Sequence, residues 1–240
     1  MCNARRRLSV LLIGLLLCPI QVWAAAVAND TSCNSGGTTS PRTCSNTGSG
    51  SATYAVLCAG MADASDTTNG TPTYGGVNMM AVTSLQNPAV SRTIAMWVLV
   101  NPPTGTQTFS YAFTGSNRHN MIGATFTGTA QRYVNQTTAS TTGSPMSMSV
   151  TATDGTNGLT LVCNVQGSGN AVTAGTGETV QQNNNGGNTS TALLTSDTNG
   201  SHAFAPTASG TPNWAGIGFS IEPNAAATTT QTLPLMGVGN

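Results

Sequence analysis

Thr93-Ile94-Ala95-Met96-Trp97-Val98-Leu99-Val100, stopped at once by Asn101-Pro102-Pro103, decides the fold class of this chain. The run is apolar at odd and even positions alike, rich in β-branched and aromatic residues, and too short for a buried helix. It predicts a strand buried on both faces, and the two prolines stop its ladder. Outward from it the period stays near two. Tyr54, Val56 and Cys58 alternate with Ala55, Leu57 and Ala59. Phe109, Tyr111 and Phe113 share one face, with Thr108, Ser110 and Thr114 on the other. Met121 to Thr127 reads as a strand, as does Trp214 to Ile221. Met146, Met148 and Val150 alternate with serines, and Leu159, Leu161, Cys163 and Val165 alternate with Thr160, Val162 and Asn164. No helical period persists after residue 26. Short strands separated by Gly, Pro and Asn turns predict an all-β, antiparallel sandwich or barrel.

The first 26 residues read differently. Arg5, Arg6 and Arg7 precede the apolar run Leu8 to Leu17, and small residues follow at Ala24, Ala25 and Ala26. A basic start, an apolar stretch too short to span a bilayer and a small-residue cleavage site are the parts of a signal peptide over 1–26. The expected location is therefore secreted or cell surface, extracellular or periplasmic, with no membrane insertion after cleavage. Residues 27–50, rich in Ser, Thr, Gly and Asn, read as an N-terminal arm with a disulfide loop. Residues 51–223 form the β-sandwich domain, and 224–240 a C-terminal tail. Within the domain, 166–191 reads as a long exposed loop centred on Asn183-Asn184-Asn185-Gly186-Gly187.

Charge is scarce: 6% of residues are charged and none is lysine. Beyond the signal, four arginines face seven carboxylates. No basic stripe exists to neutralise phosphates, so nucleic acid is not an expected partner. Solubility rests on Thr, Ser, Asn, Gln and Gly, a surface that suits sugars. Four cysteines remain after the signal: Cys33, Cys44, Cys58 and Cys163. An even count in an exported chain predicts two disulfides with three connectivities. We expect Cys33–Cys44, closing a short polar loop, and Cys58–Cys163, since both lie on the more apolar faces of their strands. With no CxxC and both histidines distant, zinc has little support.

Three segments in order resemble a family of bacterial extracellular β-sandwich, jelly-roll-like modules. They are Thr73-Tyr74-Gly75-Gly76-Val77-Asn78-Met79, then Trp97 to Thr108 with its Asn101-Pro102-Pro103-Thr104-Gly105-Thr106 element, then Trp214 to Pro223. The resemblance covers roughly 51–223. It implies a jelly-roll-like sandwich at the cell surface and carries over no catalytic residues.

Catalytic constellations are sparse. Glu178 and Glu222 are the only glutamates available for a glycosidase pair, one in the polar loop and one ending the last strand. No G-x-S-x-G surrounds a serine. His119 and His202 sit in polar sequence and read as solvated loop residues. Asp63 and Asp66 follow a strand and offer oxygens to a structural calcium ion, or merely make an Asx turn. Asn117, Arg118 and His119, with Asn120, form the densest polar cluster and the first candidate for ligand binding. Trp214, after a turn and read as half exposed, is the second, by stacking on sugar. Trp97 reads as core. The expected function is a secreted, non-catalytic module without cofactor, binding a glycan or a cell-surface or extracellular protein. The alternative is a structural subunit of a matrix, appendage or particle surface.

Overall fold

The computed structural model describes residues 24–63, 67–87, 91–115, 117–152, 157–197 and 200–225. Most of the expected signal segment (1–23), nearly all of the expected tail, and Asp66 lie outside them. The described chain is all-β, with no closed barrel. In order come β1 (Ala28–Gly37), β2 (Arg42–Gly48), β3 (Tyr54–Met61), β4 (Thr67–Thr68), β5 (Thr73–Tyr74), β6 (Val77–Asn78), β7 (Met80–Asn87), β8 (Arg92–Val100) and β9 (Gly105–Tyr111). Then follow β10 (Phe113–Thr114), β11 (His119–Thr127), β12 (Thr129–Thr142), β13 (Met148–Thr151), β14 (Leu159–Gln166), β15 (Thr179–Gly186), β16 (Thr189–Ser196), β17 (Ser201–Phe204) and β18 (Asn213–Pro223).

The first half of the chain winds as a jelly roll. One sheet runs β1-β11-β3-β8, with β7 added at the edge; the facing sheet runs β2-β9-β5-β6. Successive segments alternate between these two layers, and every pairing is antiparallel. The second half repeats the winding: β12-β18-β14-β16 with β15 added at the edge, and β13-β17 as a shorter outer sheet. The sandwich is thus a pair of jelly-roll halves stacked through their five-stranded sheets.

Three apolar layers hold this stack together. Between the five-stranded sheets lie Val56 and Cys58 of β3, Met96 of β8 and Phe126 of β11 against Leu161 and Cys163 of β14 and Phe219 of β18. Outside the first sheet, Leu57, Trp97 and Met121 pack on Tyr74, Phe109 and Tyr111. Outside the second, Val162, Leu194 and Trp214 pack on Met146, Met148, Val150 and Phe204. Both faces of β3, β14 and β16 are therefore buried, which is why the central strands carry unbroken apolar runs. The Cys58–Cys163 bridge crosses the middle layer between equivalent strands, β3 and β14. Cys33–Cys44 joins β1 to β2 across the first half.

Two expectations are corrected. Residues 27–50 are not an aperiodic arm: β1 and β2 are the first two strands of the first jelly roll, with β1 mostly half-buried and Asn46 of β2 buried. Residues 166–191 are not one exposed loop either. Asn183, Asn184 and Asn185 lie in β15, paired with β16 around the turn at Gly187. Asn120 Nδ2 donates to the carbonyls of Asn184 and Thr189, and Asn183 Nδ2 to that of Val172, so side-chain amides hold a strand without apolar alternation.

The Gly75-Gly76, Asn101 and Trp214 segments form a turn, a strand end and a core strand. Gly75 and Gly76 both have positive φ, 56° and 79°, and turn β5 into β6 as a tight hairpin. Asn101 (φ 50°) ends β8 and donates its N–H to Thr53 O. The Trp214 to Pro223 segment is β18 in the core.

Candidate functional site

The Asn117–Asn120 cluster is not a hairpin tip displayed to a ligand. His119 starts β11 and is fully buried, stacked on Phe113 with ring centroids 3.5 Å apart. Its Nδ1 lies 3.4 Å from the Tyr111 hydroxyl. Burial, with a smaller contribution from the charge of Arg42, pushes its pKa down to about 4, so the ring is neutral at neutral pH. Asn120 is buried and bonded to backbone carbonyls of the second half. Arg118 donates Nε to Asn120 Oδ1 at 3.0 Å. Its guanidinium lies against backbone: a Cβ built at Gly36 or Gly186 would stand 2.7 Å from Nη2. Arg118 thus bridges β1 and β15, edges of the two central sheets. Asn117 stays exposed and donates to Asp63 Oδ2 at 3.2 Å. Trp214 is 2% exposed, so the reading of a half-exposed stacking residue is also corrected.

Arg92, Arg42, Arg132, Glu222 and Glu178 are engaged within the molecule. Arg92 Nη1 donates to Ala62 O at 2.7 Å and Nη2 to Asn188 O at 3.0 Å, tying the halves together. Burial lowers its pKa, with Asp63 opposing. Arg42 donates to Gly36 O. Arg132 pairs with Glu222, Nε to Oε2 at 2.6 Å. The Glu178 side chain is completely enclosed: Oε2 accepts Gly175 N–H at 2.8 Å, Oε1 accepts Ala205 N–H at 2.6 Å, and His202 Nε2 lies 3.8 Å away. His202 is buried as well, not a solvated loop residue. Each glutamate therefore has a structural partner of its own.

Asp63 accepts from Asn117 and, through its carbonyl, from Thr93 Oγ1 at 3.1 Å. Among the described residues no group of three or more His, Cys, Asp or Glu side chains converges as metal ligands. None of their helices is long and apolar enough to cross a membrane.

What the structure adds is a cleft of about 470 Å³ on the outer face of the first five-stranded sheet. Its floor is a ladder of cross-strand pairs between β7 and β8: Gln86↔Thr93, Ser84↔Ala95 and Ala81↔Trp97. Thr83, at the bulge in β7, adds a further hydroxyl, while Thr67 and Thr68 of β4 and Met61 of β3 supply the rest of the lining. Trp97 sits at one end, 7% exposed, held from behind by Tyr111 at a ring-centroid distance of 5.7 Å. Among the described residues, no side chain lining the cleft is ionisable. The volume lies in the range that takes small ligands. Trp97 is in the core, as the sequence predicts, and borders the cleft with its small exposed part; the cleft itself was not visible in sequence. The polar side of β7 breaks its period of two at the bulge between Ala81 and Thr83, which hides the pattern.

No family model matches the chain, and no curated protein matches it in sequence.

Proposed function

We propose that this protein is an exported, non-catalytic binding or adhesion module whose ligand is a glycan or a neighbouring surface protein, with the glycan favoured. One observation carries the preference: an open cleft lined by hydroxyls and an amide and ended by an indole, with acids and bases outside its lining. Sugars are recognised by hydrogen bonds to hydroxyls and by packing of their C–H faces on aromatic rings. The signal-like start, the two disulfides and the motif resemblance to extracellular modules support the same reading.

A glycan array probed with the signal-free protein tests it. The expected result is reproducible binding to one class of oligosaccharide, with the ligand recovered intact. Binding to no glycan sinks the preference. Turnover of any bound glycan, abolished by Glu178→Gln or Glu222→Gln, sinks the non-catalytic reading. The second reading, a structural subunit of a larger assembly, draws on Val77 of β6 and Met80 of β7, exposed at 46% and 58%, each in the end strand of its sheet. Sedimentation equilibrium separates the two: concentration-dependent growth beyond a dimer, lost in Met80→Lys, favours assembly.

A further inference from the structure

We infer that the β7–β8 cleft takes an uncharged oligosaccharide, lying along the strands and packed on Trp97 at one end; this rests on the glycan-binding reading above. The class of ligand follows from what lines the cleft. From Thr67 to Gln86 the chain carries no side chain that is charged at neutral pH, its Tyr74 being buried with a raised pKa, and Thr93, Ala95 and Trp97 add none. Among the described residues, two charged groups, Asp63 and Arg92, flank the Thr93 end, and both are engaged. Asp63 accepts from Asn117 and Thr93, and Arg92 donates to the carbonyls of Ala62 and Asn188. A carboxylate or sulfate entering the cleft would shed water without gaining a counter-charge, which is costly. A neutral sugar gives up only hydroxyl–water bonds, and the cleft offers hydroxyls at Thr67, Thr68, Thr83 and Ser84 and an amide at Gln86.

The extended shape follows from the ladder. Gln86↔Thr93 to Ala81↔Trp97 spans four residues of β8, about 14 Å at the usual rise per residue. Along that length the floor changes from amide and hydroxyl, through the methyl of Ala95, to indole. Small side chains in the middle leave depth for a ring, and the 7% of Trp97 left exposed closes one end. A single monosaccharide would leave most of this length uncovered.

Calorimetry on the disulfide-intact, signal-free protein tests the inference with two sets of hexasaccharides. The neutral set is cellohexaose, xylohexaose and maltohexaose; the anionic set is hexagalacturonate and a hyaluronan hexasaccharide. The expected result is binding to at least one neutral member and to neither anionic one, with a Kd that changes by less than about twofold between about 50 and 500 mM salt. Ser84→Trp fills the middle of the exposed β7 face and should weaken neutral binding at least about tenfold while leaving the melting temperature unchanged. Anionic members binding as well as or better than neutral ones overturns the inference and leaves the glycan reading standing. Neutral binding undiminished in folded Ser84→Trp does the same by moving the site elsewhere. If no hexasaccharide binds, the glycan reading falls together with the inference.

Discussion

Trp97 of β8 pairs with Ala81 of β7, and Leu194 of β16 pairs with Val180 of β15; in both edge strands the register slips immediately afterwards, before Thr83 and before Gln182. The same correspondence holds elsewhere. Cys58 and Cys163 lie opposite Ile122 and Ile217 in neighbouring strands, and Gly123 and Gly218 follow them. The two halves therefore share their strand order, a bulge, a cysteine and a glycine. They differ in what covers the outer face. In the second half the segment after β14 folds down over β15 and β16. Val172 is buried there beside Ala192 and Leu194, and Thr173 and Thr207 make a single bridge. In the first half the corresponding stretch builds the β5–β6 hairpin, which pairs with β9. That leaves β7 and β8 lining a cleft. One winding thus supports a filled face and an open one, and the connection after the third strand decides which. This matches the rule that a rigid framework is shared while connections vary.

The bond between the halves is the first way to break this comparison. Replacing Cys58 and Cys163 with alanine removes a cross-link spanning 105 residues. It should cost about 4–5 kcal/mol on the chain-entropy model. Urea unfolding of the double variant measures it. A broadened, two-step transition would show that the halves then unfold separately.

The paired glycines come next. A Cβ at Gly123 would stand 2.2 Å from the Phe109 ring, whereas one at Gly218 would meet Val150 Cγ2 at 2.6 Å. An aromatic ring fixed between sheets yields less than a methyl group. We expect Gly123→Ala to destabilise by about 3 kcal/mol and Gly218→Ala by about 1–2 kcal/mol, read from denaturant midpoints. Equal losses would mean that the outer layers are equally tight.

Acid sharpens the comparison further, because His119 and Trp214 occupy equivalent places: His119 pairs with Met61 of β3, and Trp214 with Gln166 of β14. Burial holds His119 at a pKa of about 4, below its ordinary 6.5. The unfolded chain therefore takes up the proton first as pH falls. The contribution of the neutral ring is complete above pH about 6.5 and is lost progressively down to about 4, at a cost of about 2–3 kcal/mol. Hydrogen exchange should show β9 and β11 losing protection before β17 and β18 over that window, and His119→Gln should flatten the difference. The smallest effect is expected at the seam of the sheets. Arg118→Ala should cost about 1–2 kcal/mol of stability through the lost contacts to Asn120 and the backbone. Glycan binding should not change, since Arg118 does not line the cleft.

The strands with strong apolar alternation or unbroken apolar runs, β3, β8, β14 and β18, were legible in the sequence because burial on one or both faces writes itself into composition. So were the hairpin glycines and both disulfides, the latter because Cys58 and Cys163 share the faces that meet in the middle layer. The polar strands β1, β2, β12 and β15 were not legible. Their ladders are secured by partners far along the chain and by side-chain amides and hydroxyls such as Asn46, Asn120 and Thr125. Nothing in a local window distinguishes such a strand from a loop. For the same reason His119 and Trp214 read as surface residues: their flanking turns are visible in sequence, but the aromatic neighbours that bury them come from other strands or from a whole outer layer. The sequence alone determined a disulfide-bonded, all-β chain with almost no charge. Only the tertiary structure decided that polar residues such as Asn120 and Arg92 tie two jelly-roll halves together and that a hydroxyl-lined cleft lies between β4, β7 and β8, because that cleft exists only where these segments meet and the layer above them stops short.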